Sequence, residues 1–388
     1  MTNGNAGHPP PRSVPLFVPS LPAFDSYRAE LEKVAASGIY TNFGPALARF
    51  KRLLADRLDV SPARLVVVTN ATIGLALSLM AMNGKPGSLC LLPAWTHVAT
   101  AAAVRLAGLV PWFVDVDADT WHLDPEAVRA HLADAPGPVG AIVVVSAFGA
   151  PIDWESWQDV QSSCGIPVIV DAAAGFDSWR ASEVTSVFSF HATKAFGIGE
   201  GGAVLAADDA AGEHVRQLCN LGIDGGRVAN FVGLNAKMDE FRAAIGIAAL
   251  REWPTNRAAI MARTEDYERR LAEAGVRCRR PAGISRIATS TLSLWLPDVD
   301  SDALVSALEA RGVGARRWWG AGCHQAPAYA DYPRTAMAMT DVLARGAIGL
   351  PLFPALMPDD VTYVVDALRR ALDDMRTPRR RAGGAAGP

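Results

Sequence analysis

The chain has 388 residues and a mass of 41.1 kDa, with half its residues hydrophobic and a fifth charged. That length allows two or three domains, and that apolar content excludes wholesale disorder. A formal net charge of −3 and a pI of about 6.2 offer no electrostatic case for a nucleic-acid partner.

The opening MTNGNAGHPPPRSVP is polar and rich in Pro and Gly; it reads as a flexible leader over 1–20 and not as a signal peptide. From 64 to 207 short β-branched runs alternate with longer amphipathic stretches. RLVVVT (64–69), SLCLL (88–92), LVPWFVDV (109–116), VGAIVVVS (139–146) and PVIVDA (167–172) read as strands. ATIGLALSLMAM (71–82), THVATAAAVRLAG (96–108), DPEAVRAHLAD (124–134) and WESWQDVQSSC (154–164) read as the helices between them. TSVFSFH (185–191) and GGAVLAAD (201–208) are two further strands without a long helix between them. Near 253 the pattern changes. NRAAIMARTEDYERRLAEAG (256–275) predicts a long helix, a hinge candidate. STLSLWLP (290–297) predicts a strand, SDALVSALEARG (301–312) a helix capped by Ser301 and stopped by Gly312, and DDVTYVVDALRRAL (359–372) a last helix. The division is a large domain over 21–252, a smaller C-terminal α+β domain over 253–375, and a basic flexible tail over 376–388 with four arginines between Arg376 and Arg381.

No apolar run approaches the roughly 18 residues of a membrane helix, so no membrane partner is expected. Cys90, Cys164, Cys219, Cys278 and Cys323 are scattered without a CxxC pair. This argues against a disulfide framework and against a zinc site; the expectation is no metal and a reducing, cytoplasmic compartment.

Continuous apolar strands separated by helices mean an α/β fold with a largely parallel sheet buried on both faces, whose chemistry lies beyond the carboxyl ends of the strands. Lys194 follows one such strand, in VFSFHATKAFGIGEGGAVL (187–205). A lysine in apolar surroundings is costly to keep charged, and a desolvated lysine forms Schiff bases. The alternative is a lysine whose stem packs and whose head reaches water. Asp171 ends the strand of PVIVDAAAGFD, 23 residues earlier. A carboxylate there needs a cation, which the pyridinium nitrogen of pyridoxal phosphate would supply; the alternative is an N-cap in the next turn. TNATIGLAL (69–77) opens a helix directly after a strand, a phosphate cradle to which Thr72 adds a hydroxyl and which Ser189 reaches from its own strand.

These features, with GIYTNFGPALARF (38–50), PAWTHVAT (93–100), FVDVDADTWHLDP (113–125), SAFGAPID (146–153), SFHATKAFGIGEGG (189–202), GLNAKMDEFRAAIG (233–246), CHQAPAY (323–329) and LPLFPAL (350–356), run in order along most of the chain. The chain resembles the DegT/DnrJ/EryC1/StrS family of sugar aminotransferases, within the fold-type-I pyridoxal-phosphate enzymes. The resemblance implies a large, mostly parallel seven-stranded sheet domain with a smaller α+β domain, and pyridoxal 5'-phosphate as cofactor. It implies Lys194 as the lysine that carries the cofactor and moves the proton, and Asp171 as the partner of the ring nitrogen. Ala71, Thr72 and Ser189 would hold the phosphate, His97 would lie on the ring face, and Asn235 would reach the phosphate of a neighbouring subunit in a homodimer with shared active sites. Tyr40, Asn42, Trp95, Arg316, Arg317 and His324 would line the substrate side.

The chain departs from the family at three places. Ala174 stands where Gln or His touches the ring oxygen, His97 stands where Phe, Tyr or Trp is usual, and NYRM becomes NAKM through Ala236 and Lys237. Trp95, two residues from His97, is placed to share the stacking role. His191 faces either the site or the opposite side of its strand. His122 and His131 read as loop and helix-surface residues, and Trp154 with Trp157 as packing. Arg316, Arg317, Trp318 and Trp319 read either as small-domain packing or as a carboxylate or phosphate clamp with an apolar wall.

The function this implies is transfer of an amino group from an amino acid, Glu or Gln, to a keto sugar, sugar nucleotide or related biosynthetic ketone by ping-pong chemistry through Lys194. The competing readings are a pyridoxal-phosphate lyase or dehydratase on the same scaffold, and a non-catalytic sensing domain.

Overall fold

The apolar runs of the first 207 residues pair into one sheet because each is covered on both faces. In the computed structural model, which describes residues 12–376, the chain opens with helices α1 (Phe24–Ser37) and α2 (Pro45–Leu58). Then follow β1 (Leu65–Val68), α3 (Ala71–Ala81), β2 (Leu89–Pro93), α4 (Val98–Leu106), β3 (Val110–Val114), α5 (Pro125–Ala133), β4 (Val139–Val145), α6 (Trp154–Cys164) and β5 (Val168–Asp171). β6 (Thr185–Ser189), β7 (Gly202–Leu205) and α7 (Asp209–Cys219) complete the layer. The sheet order is β1-β7-β6-β5-β4-β2-β3, with β7 antiparallel to β1 and β6 and the remaining pairs parallel. Alternation along the strands divides the core. Leu65, Val67, Val168 and Val170 face one cluster with residues of α2, α6 and α8 (Glu240–Glu273). Val66, Val68, Ile169 and Val187 face a second cluster with α3 and α4. Burial on both faces is why these strands read as unbroken apolar runs.

The second unit is built from the end of α8, β8 (Leu292–Trp295), α9 (Ser301–Glu309), β9 (Arg316–Arg317), α10 (Ala338–Gly346), β10 (Ala347–Leu350) and α11 (Pro358–Arg376). Its three strands form an antiparallel sheet in the order β8-β10-β9.

Several sequence expectations are corrected in detail. The long helix starts at Glu240 and not after Pro254, because Asp239 caps it through the Arg242 N–H at 2.9 Å and buried Trp253 packs on Phe176 and Phe196 across the proline. The boundary placed at 252/253 therefore lies inside one continuous helix. α9 is capped by Asp300, whose Oδ1 accepts the Ala303 N–H at 2.8 Å, while Ser301 is its first helical residue. The leader is packed from residue 12 onward, where Arg12 pairs with Asp360 at 2.7 Å. Val14, 1% exposed, forms a parallel bridge with Val313, and Phe17 meets the ring of Trp318. The rest of the leader (1–11) and most of the basic tail (377–388) lie outside the described residues.

Long-range polar contacts seat the second unit over the carboxyl ends of the strands. Asp115, just past β3, accepts the N–H groups of Met339 and Thr340 and the Thr340 hydroxyl at 2.7–2.8 Å, capping α10 from across the interface. Asp177 accepts both from Arg257 Nε of α8 and from the Ala288 N–H at 2.9 Å. Thr340 is fully buried. Asp115→Ala should therefore lower unfolding stability by about 1–3 kcal/mol, read as a lower urea midpoint at unchanged m-value.

Candidate active site

Four strand ends converge on one cavity of about 740 Å³, within the range of small-molecule sites. β1 runs into α3 through Asn70, whose Oδ1 accepts the Ile73 N–H at 2.9 Å. The first-turn amides of Ala71 and Thr72 have no intrahelical acceptor, and both residues line the cavity. Because β7 runs antiparallel, its first residue, Gly202, comes to the same end, opposite Val68 and Ser189. A Cβ there would lie 2.8 Å from the Ala71 nitrogen and from the Phe188 carbonyl oxygen, so only glycine lets β7 pass beside this helix start.

Asp171 is the last residue of β5 and buried. Its Oδ2 accepts the Thr100 hydroxyl at 2.8 Å and its Oδ1 the Ala173 N–H at 3.1 Å; Thr96 Oγ1 lies 2.8 Å from Thr100 Oγ1. Burial pushes the Asp171 carboxyl up, opposed by these hydrogen bonds and by the Lys194 charge. Burial pushes the Lys194 amine down, opposed by Asp171. His97 Nδ1 accepts the Ala99 N–H at 3.2 Å at the start of α4, so the neutral ring carries its proton on Nε2. Burial and then the Lys194 charge push this imidazole down, against Asp171. His191 Nδ1 accepts the Thr193 N–H at 3.2 Å, and its Nε2 lies 3.7 Å from Glu200 Oε1; all three residues line the cavity.

The opposite wall is aromatic. Phe148 and Trp319 stack with centroids 4.4 Å apart and planes 8° apart. Both have left-handed backbones, with φ of 56° and 53°, which costs about 1–3 kcal/mol for a bulky side chain and is found where surrounding packing enforces it. Trp95, fully buried, packs edge-on behind Trp319.

The DegT/DnrJ/EryC1/StrS aminotransferase family matches residues 25–369. The chain belongs to this family.

Protein MT3510 of Mycobacterium tuberculosis is 30% identical over 372 residues, covering 92% of this chain and 90% of its own. The UDP-2-acetamido-2-deoxy-3-oxo-D-glucuronate aminotransferase of Pseudomonas aeruginosa is 28% identical, covering 89% and 95%. The solved structure of DesI in the presence of its TDP-sugar product superposes with a TM-score of 0.84 at 29% identity, covering 95% of each chain. As a member of the family the chain is a pyridoxal-phosphate-dependent aminotransferase on the α/β fold of these enzymes.

The residues present fit that cofactor. The cradle at α3 that a Cβ at Gly202 would crowd suits a phosphate, the buried carboxylate of Asp171 suits a pyridinium nitrogen, and the desolvated amine of Lys194 suits an aldehyde. Of the residues singled out from sequence, Ala71, Thr72, His97, Asp171, Ser189, His191, Lys194 and Arg316 line the cavity together. Ala174, Trp318 and Trp319 line it as well, whereas Trp95, Arg317, His324, Tyr40, Asn42 and Asn235 do not. Trp95 stands behind Trp319, and Arg317 turns away to Asp302 at 2.6 Å. His324 is buried near the Phe113 ring, while Tyr40 stacks on Phe241 at the surface, where Asn42 is also exposed. Asn235 is exposed and accepts from Lys237 Nζ at 2.8 Å.

The structure adds Thr100, Thr96, Phe148 and Phe17 to the site. The i, i+4 spacing of the two threonines at the start of a helix was a legible signal. Phe17 carried none, since only the fold returns the leader to the cavity. Ala174 also lines the cavity, and its carbonyl would lie 2.4 Å from a Cβ at Gly149, whose φ is +93°.

Thr100 donates to Asp171 and so favours its ionised form. Thr100→Val should move the acidic fall-off of cofactor affinity to higher pH and weaken binding about three- to tenfold near neutrality. Fluorescence titration of the apoprotein with pyridoxal phosphate across pH reads both effects.

Proposed function

We propose that this chain transfers the amino group of an amino acid, with glutamate or glutamine as donor, to the ketone of a sugar, sugar nucleotide or related biosynthetic intermediate. The observation that carries the reading is the convergence of Lys194, Asp171 and the α3 N-terminus on one cavity. Family membership supports it, as do a relative named for a UDP-linked 3-oxo sugar and a structural neighbour solved with a TDP-sugar product.

Pyridoxal phosphate supplies an aldehyde that condenses with amines and a ring that takes up electron density. The chain's own residues do the rest. Amides at the α3 N-terminus with Thr72 and Ser189 would hold the phosphate, and Asp171, fixed by hydrogen bonds from Thr100 and Ala173, would pair with the ring nitrogen. Lys194 Nζ, whose pKa burial pushes down, would accept the proton from the donor Cα and deliver it to the carbon of the cofactor's aldehyde, and would carry it the opposite way with the acceptor. The Phe148–Trp319 stack gives the site an apolar wall.

Two half-reactions thus share one lysine, which is ping-pong chemistry. The reading includes a homodimer: Tyr40, Asn42 and Asn235 are exposed, as residues serving a partner's site would be. It also includes a cytoplasmic setting, in keeping with five free cysteines. No helix of the described residues is long and apolar enough to cross a membrane.

The holoprotein given glutamate and no acceptor should release one equivalent of 2-oxoglutarate per active site and then stop. Lys194→Met should abolish that burst and the visible absorbance of the bound cofactor. Product formed from a ketone without consumption of donor would replace transamination with the lyase reading, which Ala174 at the ring-oxygen position favours.

A further inference from the structure

β9 presents two successive arginines to opposite sides, and their environments differ. Arg317 is neutralised: its Nη1 lies 2.6 Å from Asp302 Oδ2 and its Nε donates to the Ala344 carbonyl at 3.1 Å. Arg316 lines the cavity that holds Lys194 and Asp171 and has no ion-pair partner among the described residues. Its guanidinium instead lies over two rings, 5.4 Å from the centroid of Phe17 and 5.5 Å from that of Trp318. Those rings meet each other edge-on at 6.0 Å. Phe17 is carried there by the segment whose Val14 bridges Val313 through hydrogen bonds of 2.8 Å to Gly312 and Gly314.

The arrangement restrains a long flexible side chain without using its hydrogen-bond donors. Ring faces hold the cation in place but accept none of its five N–H groups, so the fork stays available to an incoming oxyanion. The other cavity wall is the Phe148–Trp319 stack, which lowers local polarity and strengthens a charge-assisted contact. The acidic groups lining the cavity are Asp171, engaged by Thr100 and Ala173, and Glu200, beside His191.

We propose that Arg316, held against the rings of Phe17 and Trp318, is the specificity-determining residue that reads an oxyanion of the substrate, a carboxylate or a phosphate, at the mouth of this cavity. Phe17 is its positioning residue. The proposal rests on the aminotransferase reading and deepens it: the substrate bound here carries a negative charge besides its reacting group. A carboxylate would come from the amino donor, a phosphate from a nucleotide-linked acceptor.

The test uses the holoprotein with two probes: glutamate, followed by the concentration that half-saturates the burst, and UDP, followed by calorimetry. Arg316→Gln should weaken one probe by about ten- to a hundredfold, leave the limiting burst rate within about twofold, and flatten the salt dependence of that probe's binding. Loss confined to glutamate places the donor carboxylate on Arg316; loss confined to UDP places the acceptor phosphate there. Phe17→Ala should weaken the same probe by a smaller factor, and Phe17→Tyr should restore it, which a general loss of packing would not. Because Arg316 is exposed, the fold should tolerate its substitution. Unchanged glutamate and UDP affinity in Arg316→Gln would overturn the proposal. A wild-type protein that shows no burst would instead overturn the functional reading, and UDP calorimetry would still report on Arg316 independently.

Discussion

A carboxylate and an amine share one cavity, each displaced by burial from its ordinary titration and each drawn partly back by the other. Without a bound group between them, Asp171 and Lys194 are an expensive pair to desolvate. With a ring that is positive at one end and electrophilic at the other, both costs become binding and chemistry. The rest of the structure serves to keep that pair in place. Adjacent parallel strands β5 and β6 set the spacing, Thr100 and Ala173 hold the carboxylate, and the loop between β6 and β7 carries the lysine.

The antiparallel strand β7 is the device that completes the site. A seventh strand parallel to its neighbours would bring its carboxyl end to the cavity. The reversed strand brings its amino end, and with it Gly202, against the α3 helix start. The same reversal turns the segment between Ser189 and Gly202 into a short connection, so Lys194 sits directly over the strand ends. The smaller unit then closes the far side through Asp115, Asp177 and the aromatic wall. Phe148 and Trp319 accept left-handed backbones to present flat faces to the cavity.

Most strands and helices of the large sheet were legible because burial on both faces leaves an unmistakable apolar run, and because helix starts carry Asp or Asn caps at Asp124, Asp153 and Asn70. The 34-residue helix was not legible across Pro254, since local propensity argues for a break that tertiary packing of Trp253 overrides. The helix over Asp209–Cys219 and the strand over Ala347–Leu350 carry weak signals: the first is polar on much of its surface, and the second is too short to show a period. In the site, Lys194 and Asp171 stood out because ionisable residues at the ends of apolar strands are conspicuous. Trp95 was expected near the ring because it is two residues from His97, and Arg317 and His324 were expected on the substrate side from the family resemblance. The fold instead puts Trp95 behind another ring, ties Arg317 to Asp302 and buries His324 away from the cavity.

By itself the sequence determined the α/β class, the alternation that buries both sheet faces, and the two conspicuous ionisable residues, Lys194 and Asp171, that share the cavity. All three are properties of local pattern and of the cost of placing charge among apolar neighbours. Tertiary structure decided which of two consecutive arginines lines the cavity, that a phenylalanine near the start of the chain lies against it, and that a threonine in the first turn of α4 donates to the carboxylate. Those outcomes turn on which side of a strand faces the cavity and on which distant segments close over it, and neither is encoded in the spacing of residues along the chain.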